Sequence, residues 1–172
     1  GPVHDVTAGV DVGEGVLWQA TYFGLARYAG RSWRTYFARD SGLAGDFVQF
    51  VRAVGRDAWL ATDSGLSVTD GDSWLTYRRR DDGHGEIRRV DAEGNVARAV
   101  TGTALAHDFV LGVDIQGGAV WVATERGVSR GRSGDEQLVW SPVAAVSPRP
   151  GPVRMSYART PEELLPYRRL PV

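Results

Sequence analysis

Residues 58–69 read AWLATDSGLSVT, and this stretch decides the fold because the chain repeats it. Residues 17–28 read LWQATYFGLARY, and residues 120–131 read VWVATERGVSRG. The copies share the pattern W-x-A-T-x-x-G-[LV]-[AS], and thirteen residues before each tryptophan stands an aspartate: Asp5, Asp46 and Asp108. Self-similarity at a fixed spacing is typical of proteins built from stacked units. The sequence therefore predicts a repeat architecture.

Each copy contains four short segments that favour β-strands. In the second copy they cover about 47–54, 58–62, 66–69 and 73–77, separated by turns rich in glycine and aspartate. Such turns suit tight hairpins between antiparallel strands. Four strands in a unit of 41 residues, the distance from Trp18 to Trp59, are typical of a propeller blade. We therefore predict an all-β fold of propeller-type blades, with the tryptophans in packing positions.

The repeat spacing divides the chain into regions. A repeat domain covers residues 1–141, with repeats at about 3–41, 42–80 and 104–141. Trp59 and Trp121 are 62 residues apart, so an insertion lies at about 81–103. Its segments 86–91 and 95–100 predict an added β-hairpin. Residues 142–172 predict an extended, proline-rich tail.

Three blades are fewer than the four or more of closed propellers. Open blade edges are prone to pair with other chains and have to be covered. We expect either the insertion and the tail, or a second chain, to supply the missing wall.

The units resemble the two-component-regulator propeller repeat, whose pattern is an inner strand, G-x-x-W-x-x-T-x-x-G-[LV] and a hairpin ending in an aromatic pair. Residues 17–28 and 58–69 carry the match, which covers 3–77 and 104–131 but neither 78–103 nor the tail. The resemblance implies a sensory or protein-binding β-propeller, most often on the periplasmic or extracellular side of bacterial envelopes. Many members of that family belong to hybrid histidine kinases, and this sequence contains no kinase segment.

The dipeptide between the repeat threonine and glycine varies while its neighbours stay constant, which makes it a candidate for specificity. In an up-and-down blade this turn lies at the same end as the connection to the next blade, so we expect the insertion to share that face. The insertion is either a tolerated surface addition or a partner-docking flap. The tail either packs on its own domain or reaches a neighbouring subunit. The candidate ligand- or partner-binding residues are Tyr22, Phe23, Asp63, Ser64, Glu125, Arg126, Arg88, Arg89, Tyr167 and Arg168.

Composition and motifs argue against several classes of function. The 20 basic and 21 acidic residues nearly balance, so no field draws nucleic acid or anionic membrane. The chain has no cysteine, which excludes disulfides, thiolate metal sites and a cysteine nucleophile. His4 and His107 occupy equivalent repeat positions, which indicates turn roles, and the loop around His84 lacks the spacing of a calcium site. We therefore expect no metal, no cofactor, no membrane insertion and no enzymatic activity.

Three functions remain open on the sequence. The first is a non-catalytic interaction or scaffold module of a bacterial envelope or extracellular assembly, docking through the insertion and tail. Its partners would be another protein or copies of itself that complete the blade array. The alternative is a small-ligand sensor domain derived from a two-component receptor. A distant third is a hydrolase or lyase that uses acidic groups or a histidine of the insertion: Asp81, Asp82, His84 and Glu86.

Overall fold

Residues 6–134 and 137–143 are described in the computed structural model, and every regular element within them is a β-strand. The predicted all-β class is therefore confirmed. Within the described part of the chain, no helix has the length and apolarity needed to cross a membrane. The strands are β1 (Thr7–Gly13), β2 (Val16–Thr21), β3 (Gly24–Ala29), β4 (Ser32–Tyr36), β5 (Val48–Val54), β6 (Asp57–Thr62), β7 (Gly65–Thr69), β8 (Trp74–Arg79), β9 (Gly85–Val90), β10 (Val96–Thr101), β11 (Val110–Gln116), β12 (Ala119–Thr124), β13 (Gly127–Ser133) and β14 (Leu138–Pro142).

These strands form three antiparallel sheets, one for each predicted repeat. The first sheet has the order β1-β2-β3-β4, and the third has the order β11-β12-β13-β14. The second sheet has six strands in the order β10-β9-β8-β7-β6-β5. Each sheet is a meander, as expected when neighbouring strands are joined by tight turns.

The three repeats also share a register shift, of the kind that a β-bulge produces, in their first strands. The first strand of every sheet pairs with the second through a register shift at the same repeat position: between Thr7 and Gly9, between Val48 and Phe50, and between Val110 and Gly112. A bulge at such a position bends and twists the strand, and related structures keep it as a built feature.

The sheets pack in sequence order around two apolar cores. Trp18 and Leu25 of the first sheet meet Leu60 of the second in one core, and Leu66 of the second meets Val122 of the third in the other. The first strands adjoin one another, with β5 between β1 and β11. The described sheets do not close into a ring, so the propeller arrangement stays a prediction.

Two of the periodic aspartates connect successive sheets. Asp46 accepts a hydrogen bond of 2.7 Å from the backbone N–H of Ala38, just after the last strand of the first sheet. Asp108 accepts one of 2.6 Å from Arg79 at the end of β8. Ala38 and Arg79 each lie two residues after an equivalent tyrosine. Asp5 lies outside the described residues.

The inserted hairpin is present as β9 and β10, but it is not a flap. β9 pairs with β8 along its whole length, from Arg79 opposite Gly85 to Trp74 opposite Val90. The insertion therefore continues the second sheet outward, and β8 is no longer an edge strand. Pro142, which the sequence assigned to the tail, is the last residue of β14. Edge strands tolerate proline. Residues 144–172, with Tyr167 and Arg168, lie outside the described part of the chain.

Candidate functional site

Three turns of the same construction join the second and third strands of each sheet. In each, the repeat threonine Oγ1 donates a hydrogen bond to the carbonyl of the repeat glycine, and it accepts one from the backbone N–H of the residue just before that glycine. The donated bonds run from Thr21 to Gly24 (2.7 Å), from Thr62 to Gly65 (2.8 Å) and from Thr124 to Gly127 (2.7 Å). The constant threonine and glycine are therefore turn-building residues.

The variable dipeptides of these turns lie beside the connections between sheets, as the predicted topology requires. The Tyr22 ring stacks on Phe47 with centroids 4.3 Å apart. Glu125 Oε2 lies 3.7 Å from His107 Nδ1, and that nitrogen also accepts a hydrogen bond from the Phe109 N–H. His107 thus serves the turn, as expected, whereas His4 lies outside the described residues. Asp63 accepts a hydrogen bond of 3.1 Å from the Ser64 hydroxyl.

Only the base of the insertion lies at the end of the molecule that carries the variable dipeptides. Around Arg126, a shallow cavity of about 280 Å³ is bordered by the end of β8 and by Asp81 of the insertion. The hairpin tip, residues 91–95, lies at the other end, because β9 runs antiparallel to β8 and finishes beside Trp74. The expectation that the whole insertion shares the face of the dipeptides is therefore wrong, and the reason is this pairing.

Arg88 and Arg89 do not form one site. They are neighbours in β9, and successive side chains of a strand point to opposite faces of the sheet. Arg89 borders a cavity of about 410 Å³ near the hairpin tip, with Asp57 and Asp70 among its lining residues. Arg88 faces the first sheet and its connection to the second. The structure thus separates two residues that the sequence placed together.

A second cavity, of about 200 Å³, surrounds Arg88. We call it the arginine cavity. The connection between the first and second sheets lines one side, and strands β8, β9 and β10 line the other. Its charged lining residues are Arg78, Glu86, Arg88 and Arg98. Three guanidinium groups and one carboxylate thus share a small space.

Sequence reasoning missed Arg78, Arg98 and Glu86 as parts of this cavity. In the sequence the run Arg78-Arg79-Arg80 is followed by Asp81-Asp82, a pattern typical of a strand end whose charges its own neighbours neutralise. Arg80 does pair with Asp82, at 3.1 Å, but Arg78 is turned into the sheet face and donates a hydrogen bond to the Ala44 carbonyl. Because successive side chains of a strand point to opposite faces of a sheet, the sequence alone places Arg78 and Arg79 on different faces. Only the pairing of β8, β9 and β10 could have joined Arg78 to Arg88 and Arg98.

The first sheet has an open side, the leading face, which is the side that a preceding sheet covers in the other two repeats. Val10 is 59% exposed there, whereas its repeat equivalents Val51 and Val113 are 3% and 5% exposed. Trp33 is exposed as well, whereas its equivalents Trp74 and Trp140 are buried. The leading face thus presents residues of the type that the other repeats bury.

The leading face also carries one polar pair. Gln19 and Thr7 stand where the second repeat has Leu60 and Val48. Gln19 Nε2 donates a hydrogen bond of 2.6 Å to Thr7 Oγ1. A polar pair that satisfies itself in this way can be covered at smaller cost than an unpaired amide.

The third sheet has the opposite open side, the trailing face. Val128 is 39% exposed there, whereas its equivalents Leu25 and Leu66 are fully buried. Ala123 is exposed as well, and its equivalents Ala20 and Ala61 are buried. The Arg130 guanidinium lies 4.9 Å from the ring centroid of Trp121 on this side. Within residues 6–134 and 137–143, the array of sheets therefore ends in two faces that no further sheet covers, although their residues are of the types that the other repeats bury.

No group of three metal-ligating side chains occurs among residues 6–134 and 137–143. His84 Nδ1 lies 3.3 Å from Asp82 Oδ1, and both side chains are about half exposed. The backbone N–H of His84 donates to Asp82, which lowers the pKa of that carboxyl. Glu86, the other acidic candidate of the insertion, lies in the arginine cavity instead.

Comparison with known proteins gives likenesses to solved structures, while no family model and no curated protein sequence matches the chain. The extracellular domain of the hybrid two-component system BT4673 from B. thetaiotaomicron is 13% identical, with a TM-score of 0.40 over 87% of this chain. A second structure, described as the extracellular domain of a one-component system of the same name, is 14% identical, with a TM-score of 0.37 over 80% of this chain.

A Bacteroides uniformis protein assigned by name to the 6-phosphogluconolactonases is 10% identical, with a TM-score of 0.37 over 79% of this chain. The chain spans 24% and 23% of the two extracellular domains and 53% of the third protein. The specific repeat family indicated by the sequence stays a prediction.

Proposed function

We propose that this chain is a non-catalytic protein-interaction module, in which the leading and trailing faces each take a further sheet of the same kind. One observation carries the proposal. Residues of one repeat position are buried wherever a neighbouring sheet is present, as Val51 and Val113 are, and exposed where it is missing, as Val10 is. Burial of such apolar surface favours association by about 25 cal/mol per Å² before the costs of binding are subtracted.

The occupant that fits both faces is a second copy of the chain. The trailing face carries equivalents of Leu25 and Leu66, and the leading face carries equivalents of Val51 and Val113, so a head-to-tail contact would repeat the packing found between successive sheets. Two chains of three sheets contain six sheets, and closed propellers have about four to eight. A pair of chains can therefore form a closed ring of propeller type.

The experiment is the mass in solution by light scattering, over a range of protein concentrations. We expect twice the chain mass of 18.7 kDa. Val10→Arg and Val128→Arg place a charge on each open face and should each give a monomer. Val96→Arg is the control, because Val96 is exposed on the edge strand β10 and on neither face. A wild-type monomer at all concentrations would contradict completion by a second copy.

Docking of another protein through the insertion is a further part of the proposal. β10 is the outermost strand of the second sheet, and its residues 96–100 are all exposed. An unpaired strand edge can receive an added strand from a partner. Docking through the predicted tail is tested separately, by deleting residues 144–172 and measuring the mass again. We place the chain on the periplasmic or extracellular side of a bacterial envelope, because of the resemblance of its repeats.

A small-ligand sensor is the second candidate function, and the arginine cavity favours it. The cavity lies between the sheet connection and the insertion, and it is smaller than the roughly 300–1,000 Å³ that drug-sized ligands occupy. Titration with small anions tests this candidate, and the result is independent of the mass measurement.

A further inference from the structure

The arginine cavity concentrates positive charge that the described part of the chain does not neutralise. Its lining contains three arginines and one glutamate. No carboxylate among the described residues lies within 4.0 Å of the guanidinium nitrogens of Arg78, Arg88 or Arg98. The single acidic lining residue, Glu86, is the direct cross-strand partner of Arg78 and also acts electrostatically on Arg88, which leaves the lining with an excess of positive charge.

Strand register forces two of these arginines together. Arg88 of β9 and Arg98 of β10 are direct cross-strand partners, and Arg88 is also opposite Thr76 of β8. Side chains at directly opposed positions are about 5 Å apart at Cβ, and like charges there are destabilising. The insertion therefore introduces a repulsive pair on the same sheet face as Arg78, which a bound anion would relieve.

Two buried donors of the cavity lack partners. The Nε atoms of Arg78 and Arg88 are inaccessible to solvent and make no hydrogen bond within the part of the chain that the structure describes. Arg78 uses another nitrogen for the Ala44 carbonyl, and Arg88 Nη1 reaches the Ser41 carbonyl at 3.5 Å. A buried donor without an acceptor costs stability, and guanidinium groups bind carboxylate and phosphate oxygens through paired N–H donors. Burial, followed by the charges of Arg98 and Arg78, lowers the pKa of the Arg88 guanidinium.

The opposite wall of the cavity is held in place by hydrogen bonds. The Ala44 N–H donates to Ser67 Oγ at 2.9 Å, and Thr76 Oγ1 donates to the Gly42 carbonyl at 2.6 Å. These bonds fix the connection that carries Leu43 and Ala44 against the sheet. A wall ordered in advance reduces the entropy lost on binding.

We propose that the arginine cavity binds a small oxyanion, a carboxylate or a phosphate group, through Arg78, Arg88 and Arg98. The volume of about 200 Å³ suits a small acid or a single phosphate group. The site belongs to the second repeat alone, because the insertion supplies Glu86, Arg88 and Arg98. The proposal deepens the sensor candidate and does not depend on assembly of the chain.

Isothermal titration calorimetry with inorganic phosphate and with succinate, each at low ionic strength, tests the proposal. We expect saturable binding of at least one probe, and the stronger of the two identifies the chemistry. Arg98→Gln and Arg88→Gln should each weaken binding at least tenfold. Arg39→Gln is the matched control: Arg39 is exposed and lies on the same connection, outside the cavity lining. Its affinity should equal that of the wild type.

If Arg88→Gln folds poorly, the unfolding temperatures of the wild type and Arg98→Gln, with and without the probe, still test the proposal. In anion-free buffer Arg98→Gln should unfold at a temperature equal to or above that of the wild type, because it removes the repulsion with Arg88. The wild type should gain stability from the bound probe, and Arg98→Gln should not. The absence of binding by both probes, or equal binding by wild type and Arg98→Gln, would overturn the proposal. Neither result would bear on the association of the open faces, which the solution mass reports.

Discussion

The Tyr36 ring of the first sheet meets the Trp74 ring of the second edge to face, with centroids 5.3 Å apart. The same contact joins Tyr77 to Trp140 at 5.4 Å, between the second and third sheets. Tyr36 and Tyr77 are equivalent repeat residues, as are Trp74 and Trp140. At the two ends of the array the contact has only one member, because Trp33 is exposed and Val143 stands where the tyrosine would be. This aromatic pair is therefore a unit of sheet-to-sheet packing.

The two tyrosines should respond differently to loss of the hydroxyl. Among the described residues the buried Tyr36 hydroxyl has no hydrogen-bond partner, whereas the backbone of Leu138 acts on the Tyr77 hydroxyl and opposes the rise in its pKa that burial causes. Tyr36→Phe should leave the free energy of unfolding unchanged or raise it, and Tyr77→Phe should lower it by about 1 kcal/mol. Urea denaturation of both variants measures the difference. Equal losses in the two variants would contradict this account.

Alanine substitutions at two equivalent repeat glycines should differ in their effect on stability. Gly65 and Gly127 both have positive φ, 134° and 117°, which costs any other residue about 1–3 kcal/mol. A Cβ on Gly65 would also lie 2.6 Å from the Tyr77 carbonyl oxygen, whereas no atom of the described residues lies within 4 Å of one on Gly127. Gly65→Ala should therefore destabilise more than Gly127→Ala in denaturant unfolding. A larger loss at Gly127 would show that the close approach to the Tyr77 carbonyl is not the cause.

Leu66 and Val128 test whether the trailing face is covered in solution. Leu66→Ala should cost about 2–5 kcal/mol, because Leu66 is fully buried between the second and third sheets. Val128→Ala in a monomer should cost less than about 0.5 kcal/mol. If copies associate through the trailing face, the cost at Val128 rises with protein concentration, because unfolding then includes dissociation. Denaturation at two concentrations distinguishes these cases.

Asp108 and Asp82 should give opposite dependences of stability on pH. Burial raises the pKa of Asp108 against the hydrogen bond from Arg79, whereas the hydrogen bond from His84 N–H lowers the pKa of Asp82. A raised pKa means that the contribution of Asp108 is greatest below its unfolded value of about 3.9 and is lost as the pH rises through the folded value. The contribution of Asp82 is present above about pH 3.9 and is lost as the pH falls through its lowered value.

Asp108→Asn should therefore gain stability relative to the wild type between about pH 4 and pH 7, since the amide keeps an acceptor for Arg79. Asp82→Asn should be less stable than the wild type at pH 5 and pH 7, and the difference should shrink at pH 3, as the Asp82 carboxyl approaches its lowered pKa. Thermal unfolding at pH 3, 5 and 7 follows both differences. Parallel pH profiles for the two variants would contradict the assigned environments.

The sequence by itself determined the features that depend on neighbours along the chain. The pattern W-x-A-T-x-x-G contains the whole turn, because Thr62 and Gly65 bond to each other and glycine alone tolerates the backbone angle. The spacing of glycine and aspartate therefore located the strands of the second repeat to within one or two residues. It also located the inserted hairpin, whose turn at Ala92-Glu93-Gly94 is local as well.

Only the tertiary structure decided which faces are covered and which charges meet. Val10 and Val51 are the same residue in the same repeat position, yet one is exposed and the other is buried, because burial depends on a sheet contributed from elsewhere in the chain. Arg88 and Arg98 converge because β9 pairs with β10 in one register, and a slip of one residue would turn either side chain to the opposite face. Such pairings join residues distant in sequence, so no local pattern contains them.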